Sequence, residues 1–292
     1  MGNQLELRHL KYFLAVADEL HYRKAAEKLF ISQPGLSRQV KQMEDDLGIQ
    51  LFDRHNRKVT LTSAGAYLKN EVKRHLNNLD VILEHAKHLH NGVAGNLKLG
   101  YVGSAMEQII PNLLLEYRKH HPKALFSLKE MDNNLQVEGL LSQEIDVGFV
   151  RLERVPNTIK LKPLLKENFC LVLPKNHAIN ESNFKSVKQL EQESFILFNP
   201  QYSKSYHEKI MQIFDDAGFA PSISHNTIHA SSIFKLVENN FGVSIVPKSL
   251  QTNNFQGIKF LEMSKIPQKT TLSIVWNSYN RNPMLREFLK HI

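Results

Sequence analysis

The sequence predicts an all-α domain at the N-terminus, a long helix after it, and an α/β domain over the rest of the chain. Apolar residues recur at helical spacing in three short segments of the first 50 residues, and again without a break through residues 63–91. Beyond residue 93, strand-like and helix-like segments alternate, as in α/β proteins. The 292 residues allow two or three domains at roughly 100–200 residues each.

The composition is that of a globular protein, with 42% hydrophobic and 23% charged residues. The formal net charge of +8 is compatible with a polyanionic partner but is spread along the chain, with +3 in residues 1–92 and +5 in the rest.

The single cysteine, Cys170, cannot form an internal disulfide, and its apolar surroundings predict a buried thiol. Neither a signal peptide nor a membrane-spanning run is found, so a cytoplasmic location is expected.

Three helices are predicted before residue 50, in "LRHLKYFLAVADEL", "HYRKAAEKLF" and "ISQPGLSRQVKQMEDDLG". Ser32 is the expected N-cap of the third helix, Pro34 suits its first turn, and Gly48 is the expected end. Only about three residues separate the second and third helices, which is typical of a helix-turn-helix. In that motif the second helix enters the major groove of DNA and contacts base edges with its N-terminal residues.

The third helix has one apolar and one polar face. Leu36, Val40 and Met43 are predicted to pack inward, which leaves Ser37, Arg38 and Lys41 on the opposite side. An arginine donates to guanine or phosphate, a lysine meets phosphate as a point charge, and the amide of Gln33 suits adenine or phosphate. The alternative is a small three-helix subdomain with a solvated charged face.

A basic β-hairpin is predicted after the third helix, in "LFDRHNRKVTLTSAG". Arg54, Arg57 and Lys58 would lie near its tip. Beside a helix-turn-helix, such a hairpin is a wing that contacts the DNA backbone or minor groove. The alternative is an exposed loop with incidental charge.

The stretch from Glu6 to Gly65 resembles the winged helix-turn-helix domain of LysR-type transcriptional regulators, most specifically in "AAEKLFISQPGLSRQVKQMEDDLGIQLFDR". The resemblance implies a winged helix-turn-helix domain over residues 1–62 that binds double-stranded promoter DNA. The residues that it assigns to DNA contact are Gln33, Pro34, Ser37, Arg38, Lys41, Arg54 and Arg57.

A long helix is predicted over residues 63–92. Val72, Leu76, Leu79 and Leu83 follow alternating spacings of four and three residues for about three heptads, which favours a dimerising seam. Packing of this helix on its own domain is the alternative. The resemblance implies that the helix links the domains and pairs two subunits, with a homotetramer as the family expectation.

No metal site is expected, because the helical pair His85 and His88 has no further ligand at supporting spacing.

The α/β segment over residues 93–292 predicts mostly parallel sheets. In "GYVGSAMEQIIP" a strand is expected to end at Val102 and to be followed by a single helix. Ser104 is the expected N-cap of that helix, and the free N–H groups of its first turn could bind an anion. Arg151 follows another strand and could clamp a carboxylate. The alternatives are a plain N-cap for Ser104 and an interlobe salt bridge for Arg151. Phe198, Pro200 and Tyr202 could form an apolar wall, or simply pack in the core or on the surface.

This half of the chain resembles the LysR effector domain, which is similar to type II periplasmic binding proteins. The resemblance implies two α/β lobes, lobe I over about 93–165 and 268–292 and lobe II over about 166–267, with an effector in the crevice between them. "GYVGSA" and "GFVRL" look like the branch that senses small carboxylates, such as the muconate-, benzoate- and acetoin-pathway regulators. On that resemblance, Ser104, Asn133 and Arg151 stand at positions that line the primary effector pocket of this branch. The aromatic-degradation members have a hydroxyl residue where this chain has Asn133.

Two other functions compete with that of a regulator. A solute-binding protein of transport would fit the second half but leaves the N-terminal helices unexplained, and it needs a leader or lipid anchor. An enzyme is not expected, because GxSxG, HExxH, P-loop and GxGxxG motifs are absent in the required context, and no cofactor is expected either. The sequence therefore favours a homo-oligomeric DNA-binding regulator that responds to a small carboxylate.

Overall fold

The computed structural model describes residues 5–55, 58–90, 95–252 and 254–292. The chain forms two compact units, one as far as Ile82 and one from Leu83 onwards. Among the described residues no helix has the length and apolar character needed to cross a membrane.

The first unit begins with the helices α1 (Leu7–Glu19), α2 (Tyr22–Lys28) and α3 (Gln33–Leu47). The Ser32 hydroxyl accepts a hydrogen bond from the backbone N–H of Gly35 at 3.3 Å, which confirms the predicted cap of α3. Gly48 ends α3 at a φ of 68°, in the left-handed region that glycine adopts readily. Leu36, Val40 and Met43 are fully buried, as the pattern predicted.

A two-stranded hairpin, β1 (Phe52–His55) and β2 (Lys58–Leu61), packs against these helices. The Phe52 ring lies 5.6 Å from the ring of Phe13 in α1, centroid to centroid. The Glu44 carboxylate accepts hydrogen bonds from the backbone N–H groups of Leu51 and Phe52 at 2.8 and 3.0 Å. An acid near the end of α3 therefore holds the start of the hairpin in place.

The long helix α4 spans Ser63–His90 and is about 42 Å long at 1.5 Å per residue. Val72 is buried, whereas Ile82 and Leu83 are 50% and 51% exposed. Gly65 in its first turn packs so closely that a Cβ atom there would lie 2.1 Å from the Leu51 carbonyl oxygen. The division between the two units falls inside this helix.

The second unit alternates strands and helices. Its elements, in chain order, are β3 (Asn96–Tyr101), α5 (Gly103–Met106), α6 (Ile109–His120), β4 (Leu125–Glu130), α7 (Asn133–Leu141), β5 (Val147–Val150), β6 (Ile159–Glu167), β7 (Phe169–Pro174), β8 (Ser194–Phe198), α8 (Lys204–Ala217), β9 (Ser222–Thr227), α9 (Ala230–Glu238), β10 (Ser244–Pro247), β11 (Ile258–Glu262), β12 (Thr270–Asn277) and α10 (Pro283–Leu289).

These strands form two lobes with separate cores. Lobe I contains a five-stranded sheet in the order β4-β3-β5-β12-β6, and lobe II contains a three-stranded sheet, β10-β7-β11, and the pair β8-β9. Asn168 joins β6 to β7, and residues 263–269 join β11 to β12, so the chain passes between the lobes twice.

The prediction of mostly parallel sheets is wrong. The pairs β3-β4, β3-β5 and β8-β9 are parallel, whereas β12 is antiparallel to both β5 and β6, and β7 is antiparallel to both β10 and β11. Helical crossovers join β3, β4 and β5, which forces them to run parallel. β12 instead re-enters lobe I from lobe II and runs in the opposite direction.

The single helix predicted after Val102 is also wrong, because α5 ends at Met106 and α6 starts at Ile109. Pro111 explains the restart. Proline has no N–H to donate and is accommodated in the first turn of a helix, where that N–H has no partner in any case.

We expect Gly65→Ala to destabilise the first unit by about 1–3 kcal/mol, because the added methyl would meet the Leu51 carbonyl at 2.1 Å and the backbone must move. Gly48→Ala is the matched control. Its Cβ would meet no atom within 4 Å, so the cost is that of a left-handed φ alone, about 1 kcal/mol. Urea unfolding of the full chain, followed by circular dichroism, compares the two. A smaller loss for Gly65→Ala than for Gly48→Ala would contradict the packing described.

Candidate functional site

The exposed face of α3 carries the polar side chains singled out for DNA contact. Gln33, Pro34, Arg38 and Lys41 are exposed, and Ser37 is half-buried. Within the described part of the chain, neither Arg38 nor Lys41 forms an ion pair. Among the described residues, the face opposite the core therefore offers two positive charges without an ion-pair partner, one in the second turn of α3 and one in its middle.

The turn before α3 carries an apolar residue whose environment the sequence pattern did not reveal. Phe30 is the last residue of the second predicted helix, but α2 ends at Lys28, and Phe30 is 95% exposed with a φ of 55°. The left-handed backbone turns the side chain away from the core. An exposed phenylalanine beside the predicted DNA-contacting helix is a candidate contact residue.

The wing is described only in part. The backbone of Arg54 lies in β1, opposite Val59 of β2. The side chains of Arg54 and Lys58, and the whole of Arg57, lie outside the described residues. The predicted DNA contacts of the hairpin therefore rest on the sequence.

A small apolar cavity of about 40 Å³ lies in the crevice between lobe I and lobe II. Three of the five predicted effector-binding residues line it, namely Ser104, Arg151 and Phe198. Tyr202 lines it too, as the predicted apolar wall requires. Other lining residues that sequence reasoning missed are Gly103, Ser203, Tyr206, Ile228 and Leu250.

Arg151 is the charged group of this crevice, and its side chain is 5% exposed. Its Nε donates to the Ser104 hydroxyl at 3.0 Å, and its Nη1 donates to the Thr270 hydroxyl at 3.0 Å. Its Nη2 donates to Glu167 Oε1 at 2.6 Å and to the Ser249 hydroxyl at 3.2 Å. Four of the five guanidinium N–H groups are thus occupied.

Glu167 completes the ion pair from the end of β6, next to the connection at Asn168. Its carboxylate also accepts hydrogen bonds from the backbone N–H and the hydroxyl of Ser249 in lobe II. Arg151 and Glu167 both belong to lobe I, so this pair is not the interlobe salt bridge that the sequence left open as the alternative. The link between the lobes is Ser249 of lobe II, which hydrogen-bonds to both side chains. A buried pair of this kind is tolerated only when further hydrogen bonds satisfy both charges, as they do here.

Ser104 is not an N-cap. It lies inside α5, whose N-cap position is Val102, and that position has no side-chain cap. The buried Ser104 hydroxyl instead accepts the hydrogen bond from Arg151 Nε. Because α5 begins two residues earlier than predicted, this hydroxyl faces the guanidinium rather than the free N–H groups of the helix.

Asn133 and Pro200 do not line the cavity. The Asn133 amide is used twice within the protein, because its Nδ2 donates to the Ser203 hydroxyl at 2.7 Å and its Oδ1 accepts from the Arg151 backbone N–H at 2.9 Å. It fixes the backbone of Arg151 and contacts lobe II. Pro200 lies exposed in the turn after β8.

Tyr202 crosses the mouth of the crevice from lobe II. Its hydroxyl accepts a hydrogen bond from the backbone N–H of Gly103 at 3.2 Å and donates to Glu130 Oε1 at 3.2 Å. Burial raises the pKa of the Tyr202 phenol well above its ordinary value, so the hydroxyl stays protonated and able to donate. This side chain closes the cavity on the side of α5.

No cluster of three or more histidine, cysteine, aspartate or glutamate side chains that could hold a metal occurs in the described part of the chain. The side chains of His85 and His88 lie outside that part.

Cys170 is fully buried in β7, as predicted, and burial raises the pKa of its thiol to about 12. A thiol in that state is not a nucleophile near neutral pH.

Comparison with known proteins identifies both units. Residues 7–66 match the model of the bacterial regulatory helix-turn-helix proteins of the lysR family, and residues 90–292 match the LysR substrate binding domain. The chain is 31% identical over 285 residues to the transcriptional regulator AlsR of Bacillus subtilis, covering 98% of this chain and 94% of that protein. It is 33% identical over 265 residues to BenM of Acinetobacter baylyi, covering 90% and 85%.

Solved structures support the same family assignment. The crystal structure of full-length CbnR complexed with its target DNA superimposes with a TM-score of 0.72 at 28% identity and covers 99% of both chains. AlsR and BenM are both named as transcriptional regulators and not as enzymes. The chain therefore belongs to the LysR family of DNA-binding transcriptional regulators, with a helix-turn-helix domain followed by an effector-binding domain.

Proposed function

We propose that a small carboxylate, bound in the crevice between the lobes, modulates the binding of this regulator to promoter DNA. The observation that carries the proposal is the buried Arg151 guanidinium at the cavity, with the Ser104 hydroxyl beside it. A guanidinium and a hydroxyl that converge on an otherwise apolar cavity suit one carboxylate on a small apolar body.

Entry of this ligand requires a conformational change. Small-molecule sites occupy roughly 300–1,000 Å³, whereas this cavity holds about 40 Å³. Tyr202, and Ser249 through its hydrogen bonds to Arg151 and Glu167, hold the lobes together beside the space that a ligand would fill. The ligand therefore favours an arrangement of the lobes other than this one, and its binding energy shifts the population towards that arrangement.

We further propose that Gln33, Pro34, Ser37, Arg38 and Lys41 contact promoter DNA from α3. The exposure of all of these residues except the half-buried Ser37 supports this assignment, as does the absence of ion pairs at Arg38 and Lys41 within the described residues. The sequence assigns Arg54 and Arg57 to the wing of the same domain, residues 1–62.

The subunits are proposed to pair through the linker helix, residues 63–92. In α4 the apolar side chains of Ile82 and Leu83 are half-exposed, and Leu76 and Leu79 are only partly buried. A second copy of the same helix would bury this stripe as a coiled-coil seam. Such a homodimer, and a homotetramer built from it, would set the spacing of the DNA-binding domains.

We expect Arg38→Ala to weaken binding to the promoter by about 10- to 100-fold, because one base or phosphate contact of an arginine is lost. Arg281→Ala is the control, since it removes an equally exposed arginine from the effector-binding domain. Fluorescence anisotropy with the chain's own upstream intergenic DNA, at several salt concentrations, measures both. Full, sequence-specific affinity of Arg38→Ala would refute the role given to this residue.

We expect Ser104→Ala to weaken the response to a carboxylate by about five- to tenfold, the worth of one buried hydrogen bond. Promoter affinity without the acid should change much less than the response does, since Arg151 keeps its contacts to Thr270 and Glu167. Ser222→Ala, an exposed serine in β9, is the control. Titration of a panel of small carboxylates against a DNase footprint gives the readout, and an undiminished response in Ser104→Ala would count against the crevice.

We expect Arg151→Gln to cost about 3–5 kcal/mol of stability, because it leaves the Glu167 carboxylate buried and unpaired. The double variant Arg151→Gln/Glu167→Gln should regain most of that loss, since neither charge then remains. Urea unfolding of the full chain measures both variants. A double variant no more stable than Arg151→Gln would show that the two charges are not coupled.

A further inference from the structure

The turn between α2 and α3 presents an aromatic ring to solvent. Phe30 follows the end of α2 at Lys28 and precedes Ser32, the N-cap of α3. At 95% exposure, it is the most exposed of the large apolar side chains among the described residues. A single exposed apolar side chain is common on protein surfaces, so exposure alone assigns no role to this ring.

The backbone of Phe30 is strained as well. Its φ of 55° lies in the left-handed region, which is unfavourable for a bulky residue and is normally left to glycine after a helix. Two hydrogen bonds fix this conformation, from the Phe30 N–H to the Glu27 carbonyl at 3.2 Å and from the Ile31 N–H to the Ala26 carbonyl at 3.1 Å. A strained backbone that carries an exposed ring is a local cost without a local gain, and such costs concentrate at functional sites.

The neighbours of Phe30 fix the direction of the ring. Leu29 and Ile31, on either side of it, pack against the core of the first unit. Phe30 therefore projects outward from a turn that both neighbours anchor. Gln33 and Pro34 follow in the chain and are also exposed. Because the N-terminal residues of the second helix of a helix-turn-helix contact base edges, the ring is continuous with the DNA-contacting face proposed for α3.

Two features of this position favour DNA over a protein as the partner of the ring. The two acidic residues nearest to the turn on its N-terminal side are in ion pairs, Glu27 with Arg23 at 3.1 Å and Glu19 with Lys28. Their charges are thus compensated and do not repel a phosphate backbone. In addition, a protein seated on Phe30 would meet the start of α3, which the proposed DNA contacts occupy.

We propose that Phe30 contacts the methyl group of a thymine in the major groove, and so adds a preference for thymine at one position of the DNA site. The C5 methyl group of thymine is the apolar group that base edges present there, and phenylalanine is suited to contact it. The inference rests on the DNA contacts proposed for α3. It adds an apolar contact to a face whose other proposed contacts are mostly polar or charged.

Deoxyuridine lacks only the methyl group of thymine and therefore isolates this contact. The unmodified chain first selects a binding site from a random DNA pool, and the thymines of that site are then replaced by deoxyuridine one at a time. Fluorescence anisotropy should show one replacement that weakens binding by the unmodified chain about three- to fivefold, the worth of one buried methyl group. In Phe30→Gly, the same replacement should have no effect.

The variant Phe30→Gly also separates this role from a structural one. On the site with thymine, it should bind about three- to tenfold more weakly than the unmodified chain. Glycine adopts the left-handed conformation without strain, so the midpoint of urea unfolding should stay the same or rise. No phosphate contact is lost, so the salt dependence of binding should not change. Phe241→Ala removes an exposed ring from the effector-binding domain and is the matched control, with unchanged DNA binding.

Three results would overturn the proposal. They are unchanged affinity of folded Phe30→Gly, an equal loss on deoxyuridine in both proteins at every position, and a changed oligomeric state of the variant in sedimentation. The last result would assign the ring to a contact between protein chains. Arg38→Ala is measured on the same DNA. If it weakens binding and Phe30→Gly does not, only this inference fails, whereas if neither weakens binding, the DNA contacts proposed for α3 fail as well.

Discussion

The buried pair Arg151–Glu167 is the interaction on which the effector-binding domain depends. Both side chains are 5% exposed, and removing two charges from water costs several kcal/mol for each ion unless their surroundings compensate for it. Ser104, Thr270 and Ser249 supply that compensation with hydrogen bonds from both lobes. The polar network is therefore complete only when the lobes are held in this arrangement.

Under the proposed function, this dependence is what allows a ligand in the crevice to act on the lobes. A ligand carboxylate at Arg151 would have to share or replace the contacts of Glu167, and Glu167 also binds Ser249 of lobe II. Any ligand that changes one contact of the network changes the balance that holds the lobes together. Asn133 adds a further link, because it joins the Arg151 backbone to Ser203 of lobe II.

The local features of the fold could be predicted from the sequence, because their causes are local. The cap at Ser32, the left-handed end at Gly48 and the buried face of α3 follow from a few neighbouring residues. Strand β6 was missed, since its exposed lysines Lys160, Lys162 and Lys166 obscure any apolar pattern. Such lysines are typical of an edge strand, where they discourage pairing with other chains. Strand direction and the partners of Asn133 depend on distant contacts, which no local pattern contains.

The position of single residues of the candidate site could be predicted from the sequence, but their partners could not. The strand end before Arg151 placed the guanidinium at the crevice, but its partner Glu167 lies 16 residues further along the chain and carries no signature in the sequence. Ser104 was correctly predicted to lie at the cavity, but it was predicted there as the N-cap of a helix. It lies inside α5, because that helix begins at Gly103, and its hydroxyl faces Arg151 instead. A binding site formed by two lobes thus becomes visible only when the connections between them are known.

The two connections between the lobes are themselves joined. Asn168, the first connection, donates to Glu262 at the end of β11 and accepts from Lys269 of the second connection. Lys269 also donates to the Ser264 carbonyl at 3.3 Å. Glu167 of the crevice network directly precedes Asn168 in the chain. The Arg151 network, the first connection and the second connection therefore form one continuous chain of contacts.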